Sequence, residues 1–254
     1  MKVLITGNKS GIGKYIFENF GEEMIGWDRD IALADKEEIK KEGVDILIHC
    51  AFNSLKEVTF ESLAEYIQDN VFLTKELVEI PHKKFIFFSS VDVYSKDKEV
   101  HIEDAVIDAN STEGLYGITK LISESIVKAR SKNSLIMRST AFLGLYSRKN
   151  SLKRIIEDEE PIVTLTSDSE FNYILYSDVL EFLQTAIEKD LQGIYNIASC
   201  ENIKLSEVAE MFEKQVGFGE YTYLVGNIDN TKAVSIHPAF KKTSKQIIKE
   251  FTTL

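Results

Sequence analysis

A tyrosine and a lysine four residues apart, Tyr116 and Lys120, have the residue types and the spacing that proton transfer requires. Side chains four residues apart lie on one face of a helix, so the phenol and the ammonium are expected to be neighbours. A free tyrosine has a pKa near ~10 and is a poor base at neutral pH. An adjacent ammonium stabilises the phenolate, and we therefore predict that Lys120 lowers the pKa of Tyr116. Such a tyrosine can exchange a proton with a sugar or alcohol oxygen while hydride moves at the adjacent carbon.

A serine pair, Ser89 and Ser90, follows the apolar run 84–88. That run has the composition of a central parallel strand that is covered on both faces. Residues at the carboxyl ends of parallel strands face the ligand crevice, so Ser90 is placed to donate a hydrogen bond to the oxygen that Tyr116 protonates. We predict Ser90, Tyr116 and Lys120 as the catalytic residues. For the Tyr–Lys pair taken alone, the alternative is an ordinary solvated helix face.

A loop with three glycines, Gly7, Gly11 and Gly13, joins the first predicted strand (2–6) to a predicted helix (11–20). Glycines at such a junction let the backbone turn tightly and let a pyrophosphate approach the helix N-terminus. A glycine-rich turn without a ligand is the alternative, because such motifs are weak on their own.

An acidic residue, Asp28, follows the second predicted strand (23–27). A ribose-binding carboxylate is expected ~20 residues after the first glycine of such a loop, and Asp28 lies close to that distance from Gly7. Its carboxylate would accept hydrogen bonds from the adenosine ribose and repel a 2′-phosphate. Arg29 could instead neutralise such a phosphate. We therefore predict NAD(H) as the preferred cofactor and keep NADP(H) as an alternative.

Strand and helix patterns alternate along the chain, which predicts an α/β fold: a Rossmann-type doubly wound parallel sheet with a small C-terminal substrate-binding appendage. The other predicted strands are 44–51, 134–138, 161–165, 194–198 and 221–225, and the other predicted helices are 34–42, 60–79, 115–130, 177–189, 205–216 and 244–251. Residues 1–145 are predicted to form the cofactor-binding domain, to which a strand and a helix return from 170–200. Residues 146–254 are predicted to form a small, interleaved substrate-binding region.

The composition argues against several classes of function. The 254 residues carry a formal net charge of -11, which speaks against a nucleic-acid-binding surface. No apolar run approaches the ~18 residues of a membrane span, and the first residues enter a strand at once, so we predict a cytoplasmic protein. Cys50 and Cys200 lie in apolar segments and are predicted to be buried, reduced thiols. The four histidines lack metal-ligand spacing, which predicts no metal site.

These motifs together resemble the extended short-chain dehydrogenase/reductases, the NAD-dependent epimerase/dehydratase family that acts on nucleotide sugars. The segment 89–94, Ser-Ser-Val-Asp-Val-Tyr, resembles the family's segment with a catalytic Ser/Thr four residues before an aromatic residue, which selects Ser90. The segments 49–52, 69–71 and 137–140 resemble, in this order, the family's cofactor-passing segment, its helix asparagine and its strand beside the nicotinamide.

The resemblance and the glycine loop imply a set of ligand contacts. The predicted cofactor-binding residues are Gly7, Lys9, Ser10, Gly11, Ile12, Gly13, Asp28, Arg29, Asp30, Ile31, Cys50, Ala51, Phe52, Asn70, Ser89, Tyr116, Lys120, Ser139 and Thr140. The predicted substrate-binding residues are Ser90, Val91, Arg148 and Arg154. The two arginines follow the nicotinamide loop and could meet a substrate diphosphate, with a solvated basic turn as the alternative.

Within the family, the compact length and the compressed segment 27–31 are most similar to reductases of 4-keto nucleotide sugars, with the dTDP-4-dehydrorhamnose reductases as the nearest group. The resemblance therefore implies an NAD(P)-dependent oxidoreductase that reduces a keto group of a nucleotide-linked sugar. One alternative is a 4-epimerase that retains NAD and returns the hydride. Asp92 is the only acid near Ser90, which argues against a dehydratase. A non-enzyme alternative is a regulator that senses NAD(P), although binding alone requires no proton donor such as Tyr116.

The resemblance further implies a homodimer in which helices 60–79 and 115–130 of two copies form a four-helix bundle. The second of these helices carries an apolar stripe at helical spacing, formed by Leu115, Ile118, Ile122 and Ala129. The alternative is that this stripe packs on the sheet of its own subunit.

Overall fold

In the computed structural model, which describes residues 1–55, 57–97 and 99–254, strands and helices alternate as the sequence predicts. The first half contains β1 (Val3–Thr6), α1 (Gly11–Asn19), β2 (Met24–Trp27), α2 (Leu33–Glu42), β3 (Val44–His49), α3 (Phe60–Ile67), α4 (Leu73–Val78), β4 (His82–Ser90), β5 (Val100–His101) and α5 (Gly114–Arg130). The second half contains β6 (Ser134–Ser139), β7 (Ala141–Leu143), α6 (Ser151–Glu157), β8 (Glu170–Phe171), β9 (Tyr173–Leu175), α7 (Tyr176–Glu188), β10 (Gly193–Ile197), β11 (Ile203–Lys204), α8 (Leu205–Met211), β12 (Asn227–Ile228), α9 (Thr231–Val234) and α10 (Ser244–Phe251).

Six parallel strands form the main sheet in the order β10-β6-β4-β3-β1-β2, which confirms the predicted doubly wound α/β fold. The strand order reverses between β1 and β3, because β1 pairs with β2 on one side and with β3 on the other. In open α/β sheets a ligand crevice lies outside the carboxyl ends of the strands at such a point. The loops that follow β1 and β3 therefore border one crevice.

Both faces of the sheet are covered, as the apolar run 84–88 predicts. Ile86 and Phe88 lie in a large apolar cluster, while Phe85 and Phe87 lie in a second one. Successive side chains of a strand point to opposite faces, so β4 contributes to both layers of the core. Burying one such side chain stabilises the fold by roughly 1.5–3 kcal/mol relative to leaving it exposed. This burial holds β4, and with it Ser90 at its end, in a fixed position.

The helix predicted at 60–79 is interrupted by a π-helical turn, Gln68–Phe72, between α3 and α4. Asn70 in this turn binds the loop that follows β3: its Oδ1 accepts from the Asn53 amide at 2.7 Å, and its Nδ2 donates to the Asn53 carbonyl at 3.1 Å. The Asn70 carbonyl accepts a hydrogen bond from Ser123 Oγ of α5 at 2.9 Å. Widened turns of this kind often lie at functional sites. Here the turn joins the crevice loop to α5.

The C-terminal region is less regular than the sequence predicts. The segments 161–165 and 221–225 are not continuous strands, and they meet their neighbours only at isolated bridges, among them Ile162–Gly217 and Leu165–Tyr221. β12 pairs in parallel with β5 and so places this region beside the segment that follows β4.

Two local predictions about this chain are wrong. α8 ends at Met211, not at residue 216, because Glu213 adopts a φ of 51° that a right-handed helix cannot continue through. Cys200 is exposed because it follows β10 beyond the end of the sheet, and Cys50 is partly buried; both thiols are free. Among the helices of the described ranges, none combines the length and the apolar character that crossing a membrane requires.

Candidate active site

The glycine loop between β1 and α1 lies directly against the loop that follows β3. Gly7 has a φ of 75°, and a Cβ there would come within 2.9 Å of the Ala51 backbone nitrogen. A Cβ on Gly13 would come within 2.4 Å of the Gly7 carbonyl oxygen. Only glycine fits both positions, and the resulting turn brings the N-terminus of α1 to the crevice.

This helix N-terminus offers hydrogen-bond donors to an anion. The first N–H groups of a helix have no partner within it, and the Ser10 side chain makes no capping hydrogen bond. Ser10, Gly11, Ile12 and Gly13 all line the crevice. The helix dipole adds partial positive charge at this end, which therefore suits the diphosphate of a dinucleotide.

The crevice has a volume of about 780 Å³, within the range of small-molecule sites. The predicted cofactor-binding residues that line it are Gly7, Ser10, Gly11, Ile12, Gly13, Asp28, Arg29, Cys50, Ala51 and Phe52. The lining residues that sequence reasoning missed include Asn53, Ser54, Gln68, Asp69 and Tyr176. The first four belong to the loop after β3 or to the π-turn, whose path no local pattern encodes.

At one end of the crevice, the Asp28 carboxylate is held by its neighbours. Its Oδ1 accepts a hydrogen bond from the Asp30 amide at 2.8 Å, and Lys9 Nζ lies 3.3 Å from its Oδ2. Burial raises the pKa of Asp28, but these donors outweigh it and hold the pKa below its usual range. Asp28 is therefore ionised at neutral pH and can accept hydrogen bonds from ribose hydroxyls.

Arg29, the residue that could favour a 2′-phosphate, is paired with carboxylates. Its Nη2 lies 2.8 Å from Asp69 Oδ2 and 3.9 Å from Glu65 Oε1. These partners compensate the guanidinium charge on the crevice wall.

Several other predicted cofactor-binding side chains shape the crevice without lining it. The four that are buried, each no more than 6% exposed, are Asn70, Ser89, Ser139 and Thr140. The Ser89 hydroxyl donates to Glu124 at 2.6 Å, and that of Thr140 donates to Asn172 at 3.0 Å. Three others are Ile31, which packs on the apolar core, and Lys9 and Asp30, which bind each other outside the crevice lining. The last two, Tyr116 and Lys120, also lie outside that lining. A sequence pattern does not show in which direction a side chain points, and these residues point elsewhere.

Ser90, Tyr116 and Lys120 come together where α5 packs on the end of β4. Ser90 is the last residue of β4, and the other two lie in the first turns of α5. Gly117 makes the contact close, because a Cβ there would lie 2.2 Å from the Asp92 carbonyl oxygen. The Ser90 hydroxyl donates to Asp92 Oδ2 and accepts from the Asp92 amide, both at 3.1 Å. The structure thus brings the three predicted catalytic residues to one place.

The prediction that Lys120 lowers the pKa of Tyr116 is wrong for this arrangement. The Tyr116 residue is 38% exposed, but desolvation of its hydroxyl raises the pKa above its usual range, the Asp92 carboxylate adds to the rise, and the neighbouring Ser90 hydroxyl offsets only part of it. Lys120 Nζ donates instead to the Phe88 carbonyl at 2.7 Å. Burial lowers the pKa of Lys120 to about 8. Tyr116 therefore carries its proton at neutral pH.

An aromatic ring, that of Phe52, lies between the crevice and these residues. Phe52 lines the crevice, and its ring centroid is 4.8 Å from that of Tyr116 in a T-shaped arrangement. The Lys120 ammonium lies 4.5 Å from the centroid of the same ring. Phe52 therefore connects the two parts of the site and covers Lys120 on the crevice side.

A buried ion pair holds α5 in register with the sheet. Arg138 of β6 donates to Glu124 of α5 twice, from Nη2 at 2.7 Å and from Nε at 2.9 Å, and the Ser89 hydroxyl donates to the same carboxylate. Glu124 lies one helical turn beyond Lys120. Removing one partner of such a pair costs roughly 3–5 kcal/mol, so the pair fixes the position of Lys120 relative to β4.

The predicted substrate-binding residues lie in different surroundings. The Val91 side chain is 1% exposed and packs in an apolar cluster with Val225, so only its backbone is available to a ligand. Arg148 lines the crevice and contacts Ser54 on the loop after β3. Arg154 is exposed on α6 and lies outside the crevice lining. The structure thus places Arg148 among the residues that line the crevice, whereas Ser90 lies outside that lining.

The residues that line the crevice fit a nicotinamide dinucleotide. A glycine loop that admits no Cβ leads into a helix N-terminus with open donors, and an ionised carboxylate, Asp28, lies where a ribose is expected. Within the described ranges, no group of three or more His, Cys, Asp or Glu side chains is arranged to hold a metal ion.

Comparison with known proteins agrees with this geometry. A family model described as the NAD dependent epimerase/dehydratase family matches residues 3–198. A UDP-glucuronic acid 4-epimerase from Bacillus cereus, solved with UDP-glucuronic acid and NAD, is 19% identical with a TM-score of 0.76, over 100% of this chain and 99% of its own. A dTDP-4-dehydrorhamnose reductase from Clostridium acetobutylicum is 16% identical with a TM-score of 0.79, over 100% of both chains.

A third solved structure is that of TunA, an NAD-dependent NDP-hexosamine 5,6-dehydratase. It is 16% identical with a TM-score of 0.80, over 99% of this chain and 97% of its own. At such identities the likeness shows a shared fold alone. Comparison with curated proteins finds no match.

Proposed function

Because the chain belongs to the NAD-dependent epimerase/dehydratase family, we propose that it is an NAD(H)-dependent oxidoreductase that reduces a keto group of a nucleotide-linked sugar. The observation that carries this proposal is that the close packing of α5 on the segment after β4 brings Tyr116 and Ser90 together beside Phe52 of the crevice. The Tyr116 phenol carries its proton there at neutral pH, because its pKa is raised. A hydroxyl that keeps its proton at neutral pH is the form that ketone reduction consumes.

In this proposal the bound nicotinamide supplies hydride to the carbonyl carbon. Tyr116 donates its proton to the carbonyl oxygen, which becomes the alcohol. The Ser90 hydroxyl stabilises the charge that develops on that oxygen, an effect worth roughly 10²–10³ in rate for one well-placed donor. Lys120 binds the nicotinamide ribose. To do so, its ammonium gives up the hydrogen bond that it donates to the Phe88 carbonyl.

The proposal takes NAD(H) as the preferred cofactor, because Asp28 is ionised and Arg29 is already paired with Asp69. Residues 146–254 are proposed to contribute the substrate-binding region. We also propose that the enzyme works in the cytoplasm, in agreement with its two free cysteines.

A second candidate is a 4-epimerase that retains its NAD, and the position of Arg148 favours it. Arg148 contacts Ser54, and the contact joins two loops that line the crevice. An arginine in this place is suited to pair with a dinucleotide diphosphate and to slow its release. A retained cofactor suits internal recycling of hydride, whereas a reductase must exchange its cofactor at every turnover.

The two candidates differ in cofactor stoichiometry, which a single assay measures. The protein is mixed with NADH and the 4-keto derivatives of UDP-glucose, UDP-glucuronic acid and dTDP-glucose, or with NAD⁺ and the parent sugars. Absorbance at the nicotinamide band and chromatography of the products are followed together. A reductase oxidises one NADH per product formed. Product without a net absorbance change identifies the epimerase, and cofactor binding without any product favours the regulator.

We further propose that the protein is a homodimer formed through α5. Leu115 and Ile122 are 40% and 42% exposed, so the apolar stripe of α5 does not pack on its own sheet. Phe72, in the neighbouring π-turn, is 50% exposed. Exposed apolar patches of this kind mark interaction surfaces. Light scattering at micromolar concentration tests the proposal, and a monomeric mass would count against it.

A further inference from the structure

The Phe52 ring lies between the crevice and the proposed catalytic residues. Phe52 lines the crevice, whereas Ser90, Tyr116 and Lys120 lie outside its lining. Lys120 is only 5% exposed, and its ammonium lies 4.5 Å from the centroid of the Phe52 ring. The proposed reaction requires a nicotinamide beside Tyr116 and Lys120, and the ring stands on the path that leads there from the crevice.

Three contacts hold the ring in this position. Its centroid lies 4.8 Å from that of Tyr116 and 5.9 Å from that of Tyr66, with interplanar angles of 87° and 89°. Edge-to-face pairs of this kind are attractive, and so is the contact of the Lys120 ammonium with the ring. Tyr66 of α3 is 2% exposed, so the Phe52 ring rests against a neighbour that is itself tightly packed.

The backbone beside Phe52 is fixed by the next residue. The Asn53 amide donates to Asn70 Oδ1 at 2.7 Å, the Asn53 carbonyl accepts from Asn70 Nδ2 at 3.1 Å, and Asn53 Nδ2 donates to Asp69 Oδ2 at 3.0 Å. A shift of the loop would strain these three hydrogen bonds, whereas rotation of the Phe52 side chain about its Cα–Cβ bond leaves them intact. Phe52 is partly buried and borders the crevice, so its ring has space into which it can turn.

We propose that the Phe52 side chain is a gate, which rotates away from Tyr116 and Lys120 when the nicotinamide half of a dinucleotide enters. The rotation breaks the contacts of the ring with Tyr116, Tyr66 and the Lys120 ammonium. It uncovers Lys120 on the crevice side, where the ammonium can turn from the Phe88 carbonyl to a ribose hydroxyl. The gate rests on the proposed function, and it serves the reductase and the epimerase alike, because both need the nicotinamide at this place.

The gate makes the two halves of a dinucleotide unequal. The adenosine half occupies the end of the crevice at Asp28 and leaves the ring in place. The nicotinamide half displaces the ring, so the apparent dissociation constant of the dinucleotide is its intrinsic constant divided by the fraction of protein with the gate open. Two edge-to-face pairs and one contact between an ammonium and a ring keep that fraction on the order of a tenth.

The test compares the dissociation constants of NADH and ADP in the wild-type protein and in Phe52→Ala. ADP contains the adenosine and the diphosphate of NADH but lacks the second ribose and the nicotinamide. Trp27, the only tryptophan of the chain, lines the crevice, so the quenching of its fluorescence reports the binding of both ligands. We expect Phe52→Ala to lower the dissociation constant of NADH by about tenfold and to leave that of ADP unchanged within about twofold.

Two further variants separate the gate from a general loosening of the crevice. Leu73 lines the crevice and packs in the same apolar cluster as Trp27, so Leu73→Ala should change both dissociation constants by the same factor. Phe52→Leu keeps an apolar side chain but loses the contacts that depend on an aromatic ring. It should lower the dissociation constant of NADH by a smaller factor than Phe52→Ala does, and it decides by the same criterion if Phe52→Ala does not fold.

The decisive quantity is the ratio of the ADP dissociation constant to the NADH dissociation constant. A ratio that stays constant in the Phe52 variants overturns the gate, and a ratio that falls identifies the ring as a fixed wall on which the nicotinamide packs. A rise that Leu73→Ala shows equally also overturns the gate. All three results leave the proposed function standing. If the wild-type protein and Phe52→Ala both bind neither ligand, the proposed function and the gate are overturned together.

Discussion

The backbone of Gly117 packs so closely on Asp92 that a Cβ at residue 117 would lie 2.2 Å from the Asp92 carbonyl oxygen. This contact joins the first turn of α5, which carries Tyr116, to the segment that follows Ser90. Atoms cannot approach to that distance, so any larger residue would have to move the helix. The position of Tyr116 relative to Ser90 therefore depends on the absence of one side-chain carbon at residue 117.

We expect Gly117→Ala to displace α5 and to lower turnover strongly. Overpacking costs about 1–3 kcal/mol in the free energy of unfolding, of which the better helix propensity of alanine returns up to about 1 kcal/mol. Urea denaturation and a turnover assay measure the two effects. Ser125→Ala, on the exposed side of the same helix, is the control. Unchanged turnover in Gly117→Ala would show that the close contact does not position Tyr116.

Tyr116→Phe tests the proton donor of the proposed reduction. The variant keeps the ring that packs on Phe52 and loses only the hydroxyl. We expect cofactor affinity to stay near that of the wild type and turnover to fall by at least about 10²-fold. Tyr221→Phe, at a tyrosine that is 75% exposed, should leave both values unchanged. If Tyr116→Phe remains near full activity, Tyr116 is not the acid.

Asp28→Ala tests the assignment of the cofactor. The wild-type protein should bind NAD(H) more tightly than NADP(H). In the variant, the difference in binding free energy between the two cofactors should be smaller by up to about 1.5–3 kcal/mol, the value of a hydrogen bond to a charged group. Calorimetry with both cofactors measures the difference. Glu38→Gln removes an exposed carboxylate outside the crevice lining and serves as the control. If the wild-type protein binds NADPH more tightly than NADH, the assignment to Asp28 is wrong, and Arg29 determines the cofactor preference instead.

Lys120 makes a pH-dependent contribution to the stability of the fold. Burial lowers its pKa from 10.5 to about 8, so between these values the unfolded chain binds more protons than the folded one. The stability contribution of this lysine therefore rises as the pH increases from about 8 to 10.5, by up to roughly 3 kcal/mol. The difference in the free energy of unfolding between wild type and Lys120→Met should thus shift in favour of the wild type between pH 7 and pH 10.

Urea denaturation at these two pH values checks this prediction. Lys128→Met is the control, because Lys128 lies on the same helix with a side chain that is 48% exposed. The difference in the free energy of unfolding between wild type and this control should change little with pH. If the same difference between wild type and Lys120→Met is also independent of pH, the Lys120 ammonium is well solvated in the folded protein.

Local patterns along the chain determined the fold class and most of the residue types at the site. The alternation of apolar strands and helical stripes predicted the parallel sheet, because burial on one or both faces imposes a period on the sequence. The glycines of the loop after β1 and the Tyr–Lys spacing on α5 are also local, since both depend on backbone geometry over one or two turns. For this reason Ser90, Tyr116 and Lys120 could be proposed before the tertiary structure was known.

Only the tertiary structure decided what these groups do to one another. Sequence spacing put Lys120 beside Tyr116, but the ammonium binds the Phe88 carbonyl, and the pKa of Tyr116 is set by burial and by Asp92. Tyr223, which donates a hydrogen bond to Asp92, lies 131 residues further along the chain. A pKa depends on solvent access and on distances between atoms, and both arise only when distant segments pack together.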